Sequence, residues 1–434
     1  MKIGVPKEIR EGEERVALTP ETVGRLVKSH HEVLIESGAG RDYNLDEIYE
    51  EAGAKIVSSP EEIYGESDTI IKVAPPTEGE VGHMREGQIL VCFINGPNRP
   101  RLVKRLADAG VTVFSNELIP RTGTAQSMDV LSSMGSISGY KCAIIGADYL
   151  GKYVPTLTTA AGTTQAAKVI VLGAAVAGLQ AIATMSRLGA RVFAYDIMPV
   201  VKDQVHSLGA TFIDSADQEE DEEEVEEEGY EPTPFRRLMV FFGFYSFAKP
   251  PEPVEDAGER EDEEEEQPQG PFSEEKQEED YKLIREHLKD TDIVITTALI
   301  PGAPAPTLIT QDMVEDMQPG SVIVDLAAEN GGNCELTEPG RIAEHAKVRI
   351  IGPVNLPSSM PIHASQLYSR NMKSLIDHLV EDRSDEDSDE KDLRVGLDFE
   401  DEIIDAMCIA HNGKIRHDKT REALENASQA RKAQ

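Results

Sequence analysis

Residues 168–179 read KVIVLGAAVAGL, and this stretch decides the fold. Lys168–Leu172 is a short, nearly all-apolar run of the length and composition of a strand buried on both faces. Gly173, Ala175 and Gly178 then occupy the three positions of a dinucleotide fingerprint, and Val176–Leu188 continues as a helix. The first glycine permits a tight turn, and the third lets the helix pack closely on the strand. The helix start presents free N–H groups and the positive end of its dipole to a pyrophosphate. At the middle position, ordinarily glycine so that the backbone can approach the phosphates, stands Ala175, whose methyl group needs only a small shift. Arg191–Tyr195 is the next strand, and Asp196 closes it 18 residues past Gly178. A carboxylate there accepts hydrogen bonds from the adenosine ribose hydroxyls and repels the 2′-phosphate of NADP, so the expected cofactor is NAD(H). Val176 on the helix side, with Ile197 and Met198 after Asp196, completes the predicted contact set.

Working outward, the same grammar recurs. Lys2–Val5, Glu32–Glu36, Thr69–Val73, Ile89–Ile94 and Val111–Ser115 read as strands, while Thr19–Lys28 and Arg99–Ala109 read as helices. Pro20 after Thr19 fits the first turn of a helix capped by that threonine. Downstream, Asp292–Thr297 and Val322–Asp325 supply further strands. Alternating β and α segments imply mainly parallel sheets covered on both faces. The expected class is α/β, with two Rossmann-like doubly wound domains and a cleft between them. Residues 1–133 form the first domain, completed by about 356–380, where HASQLYSRNMKSLIDHLV is an amphipathic helix. Residues 134–355 form the nucleotide domain. From Ser127 to Leu150 a helix rich in small residues bridges the two. Residues 381–434 read as an acidic linker followed by a hairpin, EIIDAMCIAHNGKIRHD, turning at Asn412–Gly413.

Charge needs sorting by region. The 434 residues carry a net charge of −37. Residues 217–266 hold 21 Asp/Glu against four Lys/Arg, so this segment contributes −17 and the rest of the chain −20. An acidic insertion at about 217–269 thus interrupts the nucleotide domain, too charged and too poor in apolar residues to fold alone. It encloses one apolar island, Leu238–Phe247 (LMVFFGFYSF), which reads as an added element packed on the domain or as a docking peptide. The overall field repels nucleic acid and anionic membrane surfaces. Its generality fits adaptation to a salt-rich, halophilic cytoplasm, where screening relieves self-repulsion. No apolar run approaches the roughly 18 to 20 residues of a membrane helix, and MKIGVPKEIR has no signal-peptide core, so a cytoplasmic protein is expected. Cys92, Cys142, Cys334 and Cys408 show no ligand spacing, which predicts reduced thiols and no metal site.

Three further motifs carry chemistry. RTGTAQSMDVLSS supplies Arg121, Gln126, Asp129 and Ser132, donors and acceptors suited to a nicotinamide carboxamide and its ribose; an ordinary polar helix start is the alternative. TTALIPGAPAP, residues 296–306, is a rigid loop at the carboxyl end of a strand, where ligands of open α/β folds sit. VDLAAENGGNCE, residues 324–335, is another strand-to-loop junction ending in paired glycines.

Together these segments resemble the nucleotide-binding component, domain I, of proton-translocating NAD(P) transhydrogenases, from Met1 to about Val380. The resemblance implies a homodimer in which each chain holds NAD(H), and a partner subunit carrying NADP(H) with which hydride is exchanged directly. It also implies membrane-spanning subunits that couple the exchange to proton movement, which places this chain at the inner face of the cell membrane without a span of its own. By residue match, Arg121, Gln126, Asp129 and Ser132 correspond to the nicotinamide-side loop, with Gln126 facing the partner's nucleotide. Asp196 matches the ribose ligand, and Ala298–Leu299 the loop over the adenosine part. The family's glycine-rich lid maps onto Gly270-Pro271-Phe272, where phenylalanine stands in place of a tyrosine. Hydride exchange between two nicotinamides needs no general acid or base, only placement.

Two other readings stand beside this one. Arg15 in ERVALTP and Lys72 in IKVAPP match the substrate-binding arginine and lysine of alanine dehydrogenase, but the position of that family's catalytic histidine falls at Asn95–Gly96. Alternatively, the chain is a non-catalytic NAD(H)-responsive scaffold whose insertion binds some partner.

Overall fold

The computed structural model describes residues 1–214, 274–300, 304–384 and 391–432. The chain divides into two compact units, Met1–Ile137 with Asn355–Gln434, and Ser138–Val354. Two separate β-rich cores follow from two separate sets of apolar strands, each of which must bury both faces.

In the first unit, β1 (Lys2–Val5), β2 (Glu32–Glu36), β3 (Lys55–Val57), β4 (Thr69–Ile71), β5 (Ile89–Cys92) and β6 (Thr112–Ser115) are laid down in parallel register. Ile3, Val5, Leu34, Ile35, Ile70, Leu90 and Phe114 are fully buried in it. The helix after β1 spans Pro20–Lys28 with proline in its first turn, but Thr19 does not cap it through its side chain. Its hydroxyl instead meets Ser369 Oγ at 3.3 Å, and its N–H donates to the same oxygen at 2.9 Å. Packing of Thr19 in the interior, 5% exposed, takes the hydroxyl away from the helix end.

The helix Val130–Tyr149 starts in the first unit and ends in the second. The expected start at Ser127 moves, because Gln126–Met128 is a 3₁₀ turn. Within the second unit the small residues have a visible purpose. A Cβ on Gly139 would lie 1.9 Å from the carbonyl oxygen of Ala177, and one on Gly146 would lie 2.9 Å from Ile293. Only glycine permits these approaches. An exposed ribbon follows, β7 (Leu157–Thr159) paired with β8 (Gly162–Thr164).

The second unit's sheet comprises β9 (Lys168–Leu172), β10 (Arg191–Tyr195), β11 (Thr211–Phe212), β12 (Ile293–Thr296), β13 (Val322–Asp325), β14 (Ile342–His345) and β15 (Val348–Ile351). Their order is β11-β10-β9-β12-β13-β15-β14, parallel except for β14. Strands β9, β12 and β13 are buried along their whole length, which is why they read as unbroken apolar runs. Chain order reverses at β9, between β10 and β12, the switch point where open α/β sheets bind ligands.

The chain then returns to the first unit. The helix Pro361–Leu379 buries Ala364, Tyr368, Met372, Leu375, Ile376 and Leu379. Next comes a small ribbon, β16 (Val380–Asp382) with β17 (Leu393–Val395). The predicted C-terminal hairpin needs correcting in its first half, because Glu402–Met407 is a helix. Asp401 starts it by accepting the N–H groups of Ile403 and Ile404 at 2.8 and 3.0 Å. The hairpin proper is β18 (Cys408–His411) and β19 (Lys414–Ile415), turning through Asn412 and Gly413, both at positive φ. A helix, Asp418–Lys432, follows that the sequence reading did not anticipate. Far from standing apart, β18 pairs antiparallel with β6, so the sheet runs β19-β18-β6-β5-β4-β1-β2-β3. Among the described residues no helix is long and apolar enough to cross a membrane, and Cys92, Cys142, Cys334 and Cys408 are buried thiols. The acidic insertion and Leu238–Phe247 lie outside the described residues.

Candidate functional site

At the switch point the fingerprint turn is built by glycine. Gly173 holds φ +98°, and a Cβ there would meet Thr297 Oγ1 at 2.7 Å. Gly178 faces the same turn from the helix, where a Cβ would lie 1.8 Å from the carbonyl oxygen of Gly173. Ala175 sits at the N-cap of the helix Val176–Arg187 with φ −73° and ψ −172°, an extended conformation open to any residue. Its departure from glycine therefore carries no dihedral strain, and its methyl group is exposed.

Asp196 braces the turn. Its Oδ2 accepts the N–H of Ala174 at 2.6 Å, and its Oδ1 accepts the N–H of Met198 at 2.9 Å. Each carboxylate oxygen keeps a lone pair for a further donor. Around the turn, Val176, Met198, Val200, Leu299 and Ile300 are large apolar side chains left exposed, and they flank the ends of the neighbouring strands β9, β10 and β12. Ile197 is half-buried and packs against the core beneath. Exposed apolar groups beside convergent N–H groups and a carboxylate are the composition of a ligand wall.

Behind this wall lies a second layer that sequence reading missed. Asp325, fully buried at the end of β13, accepts hydrogen bonds from Thr296 Oγ1, Thr337 Oγ1 and the N–H groups of Ala327, Asn333 and Cys334, all between 2.6 and 3.0 Å. The paired glycines let the chain curl around it: Gly331 and Gly332 have φ +105° and +85°. Asn333 then reaches the backbone of Ala298. The available signal was the strand-end aspartate followed by Gly-Gly-Asn.

The structure thus brings Gly173, Ala175, Val176, Gly178, Asp196, Met198, Ala298 and Leu299 to one end of one sheet. Gly270 and Phe272 lie outside the described residues, as does part of the loop after Ile300. Arg121, Gln126, Asp129 and Ser132 belong to the first unit. There Asp129 caps the helix Val130–Tyr149, accepting the Ser132 N–H at 2.9 Å and the Ser132 hydroxyl at 2.5 Å. Asp129 and Ser132 are half-buried partners, while Arg121 and Gln126 are exposed.

The first unit also holds a charged cluster in its interior. Lys72, 1% exposed, lies 2.7 Å from Glu80 and 3.3 Å from Glu8. Tyr64 donates to Glu80 at 2.8 Å, and Val73 N–H donates to Glu8 at 2.6 Å. Burial pushes the Glu8 carboxyl up against the pull of Lys72. For Glu80 the push of burial is outweighed by Lys72, the Thr77 N–H and Tyr64, and its carboxyl is lowered. Nearby, Arg15 makes two 2.6 Å bonds to Glu13 and one of 2.9 Å to Asn355. Both cations that matched a substrate site are consumed by carboxylates of their own unit.

A parallel sheet with a glycine turn, an N-terminal helix dipole and a strand-end aspartate at its switch point defines a dinucleotide-binding α/β protein. Residues 4–138 match the family described as "Alanine dehydrogenase/PNT, N-terminal domain", and residues 142–418 match its C-terminal domain. The chain belongs to this alanine dehydrogenase/PNT family. It is 39% identical to NAD(P) transhydrogenase subunit alpha of Haemophilus influenzae, over 95% of this chain and 71% of that one. The crystal structure of transhydrogenase from Sinorhizobium meliloti superposes with a TM-score of 0.76 at 36% identity, covering 96% of this chain and all of that one. Alanine dehydrogenase of Bacillus subtilis is more distant, 30% identical over 78% of this chain and 73% of its own length.

Proposed function

We propose that the chain is the NAD(H)-binding subunit of a proton-translocating NAD(P) transhydrogenase. It exchanges hydride with NADP(H) held by a partner subunit, works as a homodimer, and sits at the cytoplasmic face of the membrane through membrane-spanning subunits that couple the exchange to proton movement. The observation that carries this reading is the cradle of Gly173, Gly178 and Asp196 at the switch point of the second unit's sheet, joined to the likeness to transhydrogenase alpha subunits.

Bound NAD(H) supplies the hydride-carrying ring; the residues of this chain supply position. The N–H groups at the start of the helix Val176–Arg187 meet the pyrophosphate, and the free lone pairs of Asp196 take the ribose hydroxyls. Met198, Leu299 and Val176 give the adenine an apolar bed. Arg121, Gln126, Asp129 and Ser132 are assigned to the nicotinamide side, with Asp129 and Ser132 holding each other's rotamers and Gln126 and Arg121 presented outward. No proton is transferred in the exchange, and rate comes from orientation and exclusion of water.

Alanine dehydrogenase chemistry is disfavoured by Lys72, whose ammonium is enclosed by Glu8 and Glu80, and by Asn95 and Gly96 at the position of the expected histidine. The test is hydride transfer from NADPH to an NAD analogue in molar salt, with and without the NADP-binding partner, beside a parallel reaction of L-alanine with NAD. Transfer that depends on the partner is the expected result. Alanine oxidation without the partner would overturn it.

A further inference from the structure

The loop after β12 is tied from behind at both of its first residues. Asn333, fully buried, donates from Nδ2 to the carbonyl oxygens of Ala298 and Pro306 at 2.9 and 2.8 Å. Its Oδ1 accepts the N–H of Ala298 at 3.1 Å. One carboxamide therefore holds both the donor and the acceptor of Ala298, which fixes the position and the rotation of that residue. Asn333 is itself anchored, since its N–H donates to the buried Asp325 at 2.8 Å. Thr297 ties the loop to the fingerprint: its N–H donates to the carbonyl of Leu172 at 2.8 Å and its hydroxyl to that of Gly173 at 3.0 Å. With the backbone of 297–298 bound inward, Leu299 and Ile300 stand exposed.

We infer that Asn333 is a positioning residue for the adenosine half of the dinucleotide, acting through Ala298 to hold Leu299 as a preformed wall beside the fingerprint. The inference rests on the NAD(H) reading above and gives that site a residue that does not touch the ligand. A wall ordered before binding spares the ligand the entropy of ordering it. Asn333→Ala removes three hydrogen bonds and frees the loop. Asn333→Asp keeps an acceptor for Ala298 N–H but sets a carboxylate oxygen against the carbonyls of Ala298 and Pro306. Protonation returns a donor to that position, and burial raises the pKa at which this happens.

The test is titration of the full chain with NADH, AMP and reduced nicotinamide mononucleotide, for the wild type and both variants, at pH 8 and pH 6. Asn333→Ala is expected to weaken NADH and AMP alike, by about tenfold, and to leave the mononucleotide unchanged. Asn333→Asp is expected to be weakest at pH 8 and to recover towards the wild type at pH 6. Unchanged NADH and AMP affinity in the variants overturns the inference, and so does equal loss of all three ligands, which signals general collapse. Amide exchange on the unliganded wild type needs no variant: slow exchange at Ala298, comparable with β12, is expected, and free-loop exchange overturns the inference. A wild type that binds no NADH would instead overturn the functional reading, while the exchange result would still judge the clamp.

Discussion

Lys72 and Glu80 form an ion pair inside the first unit, Nζ to Oε1 2.7 Å, with the lysine 1% exposed. A single cation here answers two carboxylates, because Glu8 lies on its other side at 3.3 Å. Replacing a buried pair outright can be neutral, but removing one partner strands the other's charge. Lys72→Met leaves Glu8 and Glu80 together without a cation, and it should cost about 3–5 kcal/mol in the first unit. Urea denaturation followed by a probe in that unit measures it. A change below about 1 kcal/mol would mean that both carboxylates become protonated without penalty.

The fingerprint predicts opposite outcomes for two small residues. Gly178→Ala places a methyl group 1.8 Å from the carbonyl oxygen of Gly173, a backbone atom that cannot rotate away. The helix must move off the strand, so NADH affinity should fall by at least tenfold and thermal stability with it. Ala175→Gly meets no dihedral barrier, since the residue is already extended, and glycine is a better N-cap than alanine. It should bind NADH as tightly as the wild type or more so. Fluorescence titration of the two variants side by side checks both.

Much of this was legible in the sequence, for identifiable reasons. Strands β9, β10 and β13 were bounded to the residue because each is an apolar run closed by a turn or a charge. The turn at Asn412–Gly413 announced itself through the two residues that best tolerate positive φ. What stayed hidden was short, long-range, or too polar for an apolar period to register, as in the helices Glu274–Leu288 and Asp418–Lys432. Lys55–Val57 is three residues long, and the helices Asp46–Glu51, Pro60–Glu66 and Glu78–His83 have at most two turns each, too little for a period to register. Glu402–Met407 read as strand because its apolar residues also suit one, and the deciding bond is local to Asp401. Asp325 and Asn333 are ordinary polar residues until the paired glycines fold them under Ala298. The partners of Lys72, eight residues ahead and 64 behind, have no signature in spacing at all.

Acidity sets a condition on every measurement. The net charge of −37 acts over a Debye length of about 10 Å at 0.1 M salt and about 3 Å at 1 M. Self-repulsion is relieved by that change, whereas exposed ion pairs such as Arg285–Asp312 and Arg105–Glu78 contribute little at either end. The melting temperature should therefore rise by several degrees from 0.1 M to molar KCl. A flat melting curve across that range would remove salt adaptation as the reason for the charge.

Acid should unfold the first unit partly through one histidine. His31 is 6% exposed, and its Nδ1 has no hydrogen-bond partner among the described residues. Burial, aided by the N-terminal ammonium, pushes its pKa down from 6.5 to about 4. The folded state therefore keeps this imidazole neutral where the unfolded chain protonates it, so unfolding takes up a proton between pH 6.5 and 4. Its contribution to stability is complete above pH 6.5 and is lost as pH falls towards 4, by roughly 3 kcal/mol in all. His31→Gln cannot take up that proton. Whatever the substitution costs at pH 7.5, the gap between variant and wild type should close by about that amount by pH 4.5, read from urea midpoints at three pH values. A gap that stays constant with pH would assign the acid sensitivity of this unit to its carboxylates instead.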